Sequence, residues 1–511
     1  MKALDLAIIF GYLIGIVLFG TWFARKQKTT SDYFLGDRSV PWWAVAASIV
    51  ATETSTITFV SVPGIAFARG GNFQFLQLVF GYLLGRVVIA ILFIPSYFRG
   101  ELLTVYQLLD RRFGGKIKVL AASMFVVMRN IADGIRLLLT AIVLAAVYTS
   151  FQPSANAETI IIASVVLIGM AMIVFTYFGG MEAVIWVEVI QLGIYIVGAI
   201  AAAVVLVSSI DGGLSAAVAS ASQFGKFSVF DFSFNPGKIY TFWAGLIGGC
   251  FLTMSTHGTD QYLVQRYLCT DRPKRASAAL LTSGAIVLGQ FIGFLFIGVL
   301  LFAFYHPYTD PGYASAAATF PFSGGDRVFP DFITRHLPTG LSGLVVAAIF
   351  AAAMSSSLNS IAATAVNDLY KPLRPRMQDK HYLRVSHVLT LLWGVVQIGV
   401  ALVLRKQNRS ALDLALSIAS LINGPILGAF LVGTFLKRVS QTPVLIGMLV
   451  SLGTMLYIYL AHSKTIAWTW YVFIGSVLTF IVAGLASFAF APASKHRQNQ
   501  LAPQDPKEAT E

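Results

Sequence analysis

Charge is what this chain has least of. Only 12% of its 511 residues are Asp, Glu, Lys or Arg, against about a quarter in an ordinary soluble domain. So few charges cannot cover a water-exposed surface, and 57% of the residues are hydrophobic, so the bilayer is the solvent for most of the molecule. Cysteine is almost missing. Cys250 and Cys269 are the whole complement, and no metal-ligand spacing surrounds them, which excludes a disulfide framework and leaves two small buried hydrophobes. Alternating ten-residue segments are absent, which excludes a membrane barrel. The formal charge of +13 is no nucleic-acid signature, because the basic residues sit in short clusters without interleaved aromatics. No catalytic, sensor-kinase or nucleotide-binding domain is legible.

What is present is a series of long apolar runs. A bilayer core takes about 20 apolar residues per helix. Thirteen runs qualify, at 4–24, 41–66, 75–98, 118–149, 158–179, 184–209, 239–263, 277–305, 341–369, 385–404, 410–433, 441–461 and 467–490; they are referred to below as spans one to thirteen. The first is followed, not preceded, by Arg25, Lys26 and Lys28, the reverse of a cleaved signal peptide, so it is expected to stay as a membrane helix. The expected class is an all-α, multi-pass integral membrane protein.

Lys and Arg orient it. With the N-terminus outside and the C-terminus inside, the cytoplasmic loops hold Arg25 to Arg38, Arg99 to Lys118, Arg266 to Arg275, Lys371 to Arg384, Lys437 and Arg438, and the tail's Lys495, Arg497 and Lys507. That satisfies the positive-inside rule, with Arg405, Lys406 and Arg409 the one dissenting cluster. The expected location is the plasma membrane, the inner membrane of a bacterium. Residues 491–511 read as a disordered tail. The long loops 210–238 and 306–340 are expected to carry short helices over the outer face.

A polar residue inside lipid marks function by default. Span two carries Thr52, Glu53, Thr54, Ser55, Thr56 and Thr58 near its middle. Such a stretch can unwind and offer carbonyl and hydroxyl oxygens to a cation. Span seven is interrupted by Gly248 and Gly249 and by a polar run containing Ser255, His257 and Asp260. Broken helices at matching positions of two halves point to an inverted-repeat transporter with a midplane site. Spans two to six (41–209) and seven to eleven (239–440) are then the repeats, preceded by 1–40, separated by the loop 210–238 and followed by two accessory helices in 441–490. Span nine adds Ser355, Ser356 and Ser357 after three alanines, oxygens suited to a hard cation beside residues that let another helix approach. Glu188 is an ion ligand or half of an internal salt bridge. Arg129, Asp133 and Arg136 lie at helical spacings of three and four, with Arg129 and Asp133 expected to pair and Arg136 left open.

In order and spacing, several motifs resemble one family: Tyr33-Phe34-Leu35-Gly36 with Pro41-Trp42-Trp43, Pro63-Gly64, Leu103-Thr104-Val105-Tyr106 with Arg112-Phe113-Gly114, Gly179-Gly180-Met181-Glu182, Asp260-Gln261 with Gln265-Arg266, and the span-nine serines with Asn359 leading to Asp368-Leu369-Tyr370. The chain is similar over about 4–437 to the sodium/solute symporters, which include sodium/glucose, sodium/proline, sialic-acid and iodide carriers. The resemblance implies a five-plus-five inverted-repeat, LeuT-like core working by alternating access. It implies a sodium site from backbone oxygens of Ala51, Thr54 and Ala352 and the hydroxyls of Ser355 and Ser356. Thr52, Glu53, Ser55, Glu188 and Ser357 flank that ion or serve a second one. Relatives usually carry Asp where this chain has Glu188, which puts a second sodium in doubt, and this chain is about three residues shorter at the span-nine serines. Thr56, Thr58, Arg136, Ser255, His257, Ser420 and Asn423 are the candidate solute contacts, between spans two, four, seven and eleven.

The function expected is sodium-coupled import of a small polar organic solute, a carboxylate if Arg136 faces the cavity. No covalent chemistry, enzyme activity, cofactor, metal other than sodium or nucleic acid is expected, and the protein is expected to work as a monomer. The alternatives are proton coupling through Glu53, a membrane sensor that binds solute without moving it, and a membrane-embedded enzyme.

Overall fold

The computed structural model describes residues 3–23, 29–100, 102–152, 154–305, 325, 328–354, 357–405 and 411–490. Every regular element among them is helical, as the composition requires: with no water in the bilayer core, the backbone satisfies its own polar groups. Each expected span holds helix. By length and apolarity alone six helices qualify as membrane spans, or seven when the bent pair in span two counts as one. Spans seven and nine are divided by breaks, and the main helix of span three, Leu76–Leu92, has 17 residues.

Three differences from the sequence reading have physical causes. Spans five and six are two helices that meet at a kink with no loop between them, within the single run Ala157–Ser209. At 53 residues it would reach about 80 Å if straight. It is interrupted at Gly180, whose φ of 62° and ψ of −167° belong to a region open essentially to glycine alone. Its start is capped by Asn156, whose side chain accepts from the Glu158 and Thr159 amides.

Span seven breaks within the expected polar run and not at the expected glycines. Gly248 and Gly249 are helical, and the helix Gly249–Gly258 ends at Thr259–Asp260, after which Gln261–Leu268 forms a second helix. The glycines serve packing instead. A Cβ on Gly249 would lie 2.6 Å from Leu78 O and one on Gly248 2.4 Å from Thr469 O, so neighbouring backbones touch span seven there. Span nine consists of Leu341–Met354 and Leu358–Thr364, followed by a wider helical turn, Ala365–Tyr370.

The third difference concerns charge. Arg266 is not a solvated loop residue: it is fully buried inside the second helix of span seven. Arg112 is buried too. Its guanidinium donates to Leu436 O and Lys437 O at 2.8 and 2.9 Å, satisfying carbonyls at the end of the span-eleven helix Ala411–Phe435. Both cysteines are free and buried. The loop 210–238 carries the helix Gly213–Gln223, and in the other long loop Val328–His336 is helical. Residues 491–511 and most of 306–327 lie outside the described residues.

Candidate functional site

Span two supplies the first part of the site. Its helices Trp42–Glu53 and Thr56–Phe67 meet at a bend of 56°. The last bond of the first helix runs from the Thr54 amide to Val50 O at 2.8 Å, and the helix stops before a bond from Ser55 to Ala51 O. That leaves the Ala51 carbonyl at a helix end, where the last-turn oxygens lack helical donors. The Thr54 hydroxyl lies 2.7 Å from both Val50 O and Gln290 Oε1. The Thr58 hydroxyl donates to Glu53 O at 2.8 Å and so bridges the break, with Ser55 Oγ 3.5 Å from it. Ala352 lies in the helix Leu341–Met354, which packs against the second half of span two. Ser355, Ser356 and the Thr56 side chain lie outside the described residues.

Four ionic clusters surround this break. In the first, Glu53 pairs with Arg86 of span three, and the same Oε1 lies 2.8 Å from His257 Nε2. His257 Nδ1 is 2.8 Å from the Tyr267 hydroxyl, so both ring nitrogens are engaged by protein. Ser255 is buried with its hydroxyl bonded back to Leu252 O at 2.7 Å. In the second cluster Glu188 bonds Ser48, Arg266 at 2.5 Å and Thr52 at 3.1 Å. Of the two roles open to Glu188 in the sequence, the internal salt bridge is therefore present, and Thr52 belongs with it.

The third cluster corrects a pairing. Arg129 bonds Asp260 at 2.7 Å, not its helical neighbour Asp133. Asp260 also caps the helix Gln261–Leu268 by accepting the Tyr262 amide. In the fourth, Asp133 Oδ2 accepts the hydroxyl of Ser357 and its amide, the latter at 3.2 Å. Arg136 stands apart from the other three guanidinium groups. Its nearest carboxylate oxygen, Asp133 Oδ1, is 3.7 Å away, a charge contact too long for a hydrogen bond. Its one hydrogen bond among the described residues goes to the Tyr262 hydroxyl at 3.3 Å.

Span four, which carries Arg136, packs against the second half of span two and against span eleven, which in turn meets span seven. On span eleven, Ser420 Oγ and Asn423 Nδ2 are buried without a hydrogen-bond partner among the described residues. Buried polar atoms in that condition call for an occupant.

Sequence reasoning missed Tyr262, Arg86, Arg266 and Tyr267 as site residues. The Tyr262 ring lies 4.4, 5.8 and 4.6 Å from the guanidinium carbons of Arg129, Arg136 and Arg266, so one aromatic face organises three cations. The available signal was the Asp260-to-Tyr267 string itself, with five polar or aromatic residues on one short helix after a break.

The motifs quoted above also bond one another. Gln265 donates to Phe34 O and to Asn359 Oδ1 at 2.7 and 2.6 Å, and Asn359 donates to Tyr33 O at 3.3 Å. Gln261 joins the Val105 amide at 2.8 Å and Leu103 O at 3.1 Å, and Thr104 donates to Asp368 at 2.9 Å. They form a scaffold that ties the second helices of spans seven and nine to the preceding loops.

A model of the sodium:solute symporter family matches residues 33–451. The chain is 31% identical over 508 residues to the sodium/sialic acid symporter NanT of Aliivibrio fischeri, covering 97% of this chain and 94% of that one. It is 29% identical to the sodium/sialic acid symporter SiaT of Proteus mirabilis, with 96% of each chain covered. A solved structure described as the substrate-bound, outward-open state of a Na+-coupled sialic acid symporter matches with a TM-score of 0.83 at 29% identity, over 97% of this chain and 99% of that one. A nucleobase-cation-symport-1 family transporter shares the fold, with a TM-score of 0.54 at 14% identity.

Proposed function

The chain belongs to the sodium:solute symporter family, and from that premise we propose that it is a sodium-coupled symporter importing an acidic, hydroxyl-rich solute of the sialic acid kind. Arg136 is the observation that carries the solute class: half-buried in span four, it holds one weak hydrogen bond while every neighbouring guanidinium has a carboxylate at 2.7 Å or less. A solute carboxylate would take its free N–H groups in a bidentate pair, with Thr56, Thr58, Ser420 and Asn423 assigned to its hydroxyls and amides. His257 drops out of the contact set, since both its ring nitrogens are already bonded within the protein; Ser255, whose hydroxyl donates to Leu252 O, stays in it as an acceptor.

The main sodium site is assigned to Ala51, Thr54, Ala352, Ser355 and Ser356. The position of the Ala51 carbonyl in the last turn of its helix supports it, because hard cations take oxygen ligands. Sodium binds first and steadies the break, the solute follows, and the two repeats, 41–209 and 239–440, rock about the site to open it inward. The N-terminus is placed outside and the C-terminus in the cytoplasm of a bacterial inner membrane, with the monomer as the working unit. Proton coupling through Glu53 is not favoured: Arg86 already supplies the countercharge a proton would bring.

Calorimetric titration of sialic acid into purified protein tests the assignment. Binding is expected in sodium and is expected to weaken at least tenfold in potassium. Arg136→Gln is expected to lose about ten- to hundredfold in sodium, the worth of a charged hydrogen bond. Equal affinity in both salts, or a full-affinity Arg136→Gln variant, would overturn it.

A further inference from the structure

We propose that the cleft between the ends of spans eleven and thirteen holds an anionic phospholipid, its phosphate on Lys437 and Arg438 and an acyl chain between the two helices. The inference stands apart from the solute and ion assignments. The span-eleven helix Ala411–Phe435 and the span-thirteen helix Tyr471–Ala486 touch closely along their earlier turns. A Cβ on Gly424 would lie 3.1 Å from the Gly475 Cα, and one on Gly428 2.4 Å from the Thr479 Cβ. Toward their ends the helices separate: the nearest atom to a Cβ on Gly484 would be Leu436 Cδ1, at 3.6 Å. The gap is a cleft of about 540 Å³, within the roughly 300–1,000 Å³ that holds a small-molecule ligand.

The walls of the cleft are apolar. Phe435, Ile481, Leu485 and Phe488 line it, and all four are exposed. Its rim is basic. Lys437 and Arg438 line it from the turn that leads to the span-twelve helix Gln441–Ala461. Both are exposed, and neither has an ion-pair partner among the described residues. No carboxylate lines the cleft among the described residues. The end of a helix ordinarily repels an anion, because its open carbonyls carry partial negative charge. Here Arg112 donates to Leu436 O, Lys437 O and Val439 O, which offsets that charge and leaves the two exposed cations to set the local field.

A membrane supplies one occupant that matches both parts of this pattern. Spans eleven and thirteen end here and span twelve begins, so the cleft opens where hydrocarbon gives way to head groups. The basic loops gather on the same side: Arg112 belongs to the cluster Arg99 to Lys118, and Lys495 and Arg497 follow span thirteen in sequence. That side is assigned to the cytoplasm, whose leaflet carries the anionic lipids, and basic pockets between membrane helices there suit anionic head groups. A soluble anion gains nothing from apolar walls, and a neutral lipid gains nothing from two unpaired cations. Bound in the cleft, the lipid braces the end of span eleven, the helix that carries Ser420 and Asn423.

Native mass spectrometry of the full chain, titrated with phosphatidylglycerol or with phosphatidylcholine, tests the site. A Lys or Arg at an anionic surface is worth about fivefold in affinity. Wild type is therefore expected to retain one phosphatidylglycerol about 25-fold more tightly than phosphatidylcholine, and Lys437→Gln/Arg438→Gln to bring that ratio close to one. Gly484→Leu fills the cleft with both cations in place and is expected to weaken phosphatidylglycerol binding at least tenfold; the paired glutamine variant carries the test alone if Gly484→Leu does not yield folded protein. Arg374→Gln/Arg376→Gln removes two exposed cations of another loop and is expected to leave the ratio unchanged. Equal retention of the two lipids by wild type would overturn the proposal. So would an equal loss in the Arg374/Arg376 variant, which marks general attraction to anionic lipid, or displacement of the lipid by glycerol 3-phosphate, which marks a site for a soluble anion. Retention of neither lipid, the result if the chain's own tail fills the cleft, would overturn it as well.

Discussion

Glu53 shows how far a single residue can be read from its neighbours in sequence. Its place among threonines in an apolar run marks it as functional, but its partners come from other spans: Arg86, 33 positions away, and His257. The Arg86 side chain is 1% exposed and that of Glu53 15%, so the pair lives where removing one charge strands the other. Arg86→Met is expected to destabilise the protein by about 3–5 kcal/mol, the usual cost of breaking a buried pair from one side. The double variant Glu53→Gln/Arg86→Met is expected to recover most of that loss. Thermal unfolding in detergent measures both, and a single variant as stable as wild type would contradict the pairing. The same limit explains the two misread arginines. Arg266 looks like one more cation of the loop containing Arg272, Lys274 and Arg275, because its partner Glu188 lies 78 residues earlier. Arg129 and Asp133 have the right helical spacing to pair, yet Asp260, 131 residues on, takes the arginine. Local spacing states which pairs are allowed; packing decides which form.

At the scale of the element, breaks were legible where polar residues cluster, and the glycines beside them marked close packing instead. The span-two break falls at Thr54 and Ser55, inside the polar run. The span-seven break falls at Thr259 and Asp260, past the glycines, since a glycine in lipid can serve close helix approach as well as interruption. The C-terminal end of span two depends on a residue no periodicity would flag. Lys226, fully buried in the loop 210–238, donates to Ala66 O, Phe67 O and Ala68 O at 2.8, 3.1 and 2.7 Å and lies 4.5 Å from the centre of the Phe302 ring. An ammonium group at a helix C-terminus meets both its open carbonyls and its dipole. Lys226→Met leaves three carbonyls to find other partners and is expected to cost about 1–3 kcal/mol, with sialic acid affinity in sodium little changed in the folded fraction. An unaltered unfolding temperature would show that the cap contributes nothing.

For the whole molecule, composition alone gave the all-helical membrane class, because a chain with 12% charged residues has no other solvent to fold in. The family followed from motifs that are weak singly and turn out to be bonded together, Tyr33 and Phe34 to Gln265 and Asn359, Thr104 to Asp368. The solute was not legible. The contacts proposed for it come from spans two, four, seven and eleven, and only packing distinguishes Arg136, with its one weak hydrogen bond, from Arg86, Arg129 and Arg266. Symport itself is tested most directly by uptake of labelled sialic acid into proteoliposomes under an inward sodium gradient, compared with equal potassium and with an inward proton gradient. Accumulation driven by sodium alone, and abolished in Ser355→Ala/Ser356→Ala, is the predicted result. Uptake that follows the proton gradient, or that ignores both ions, would contradict it.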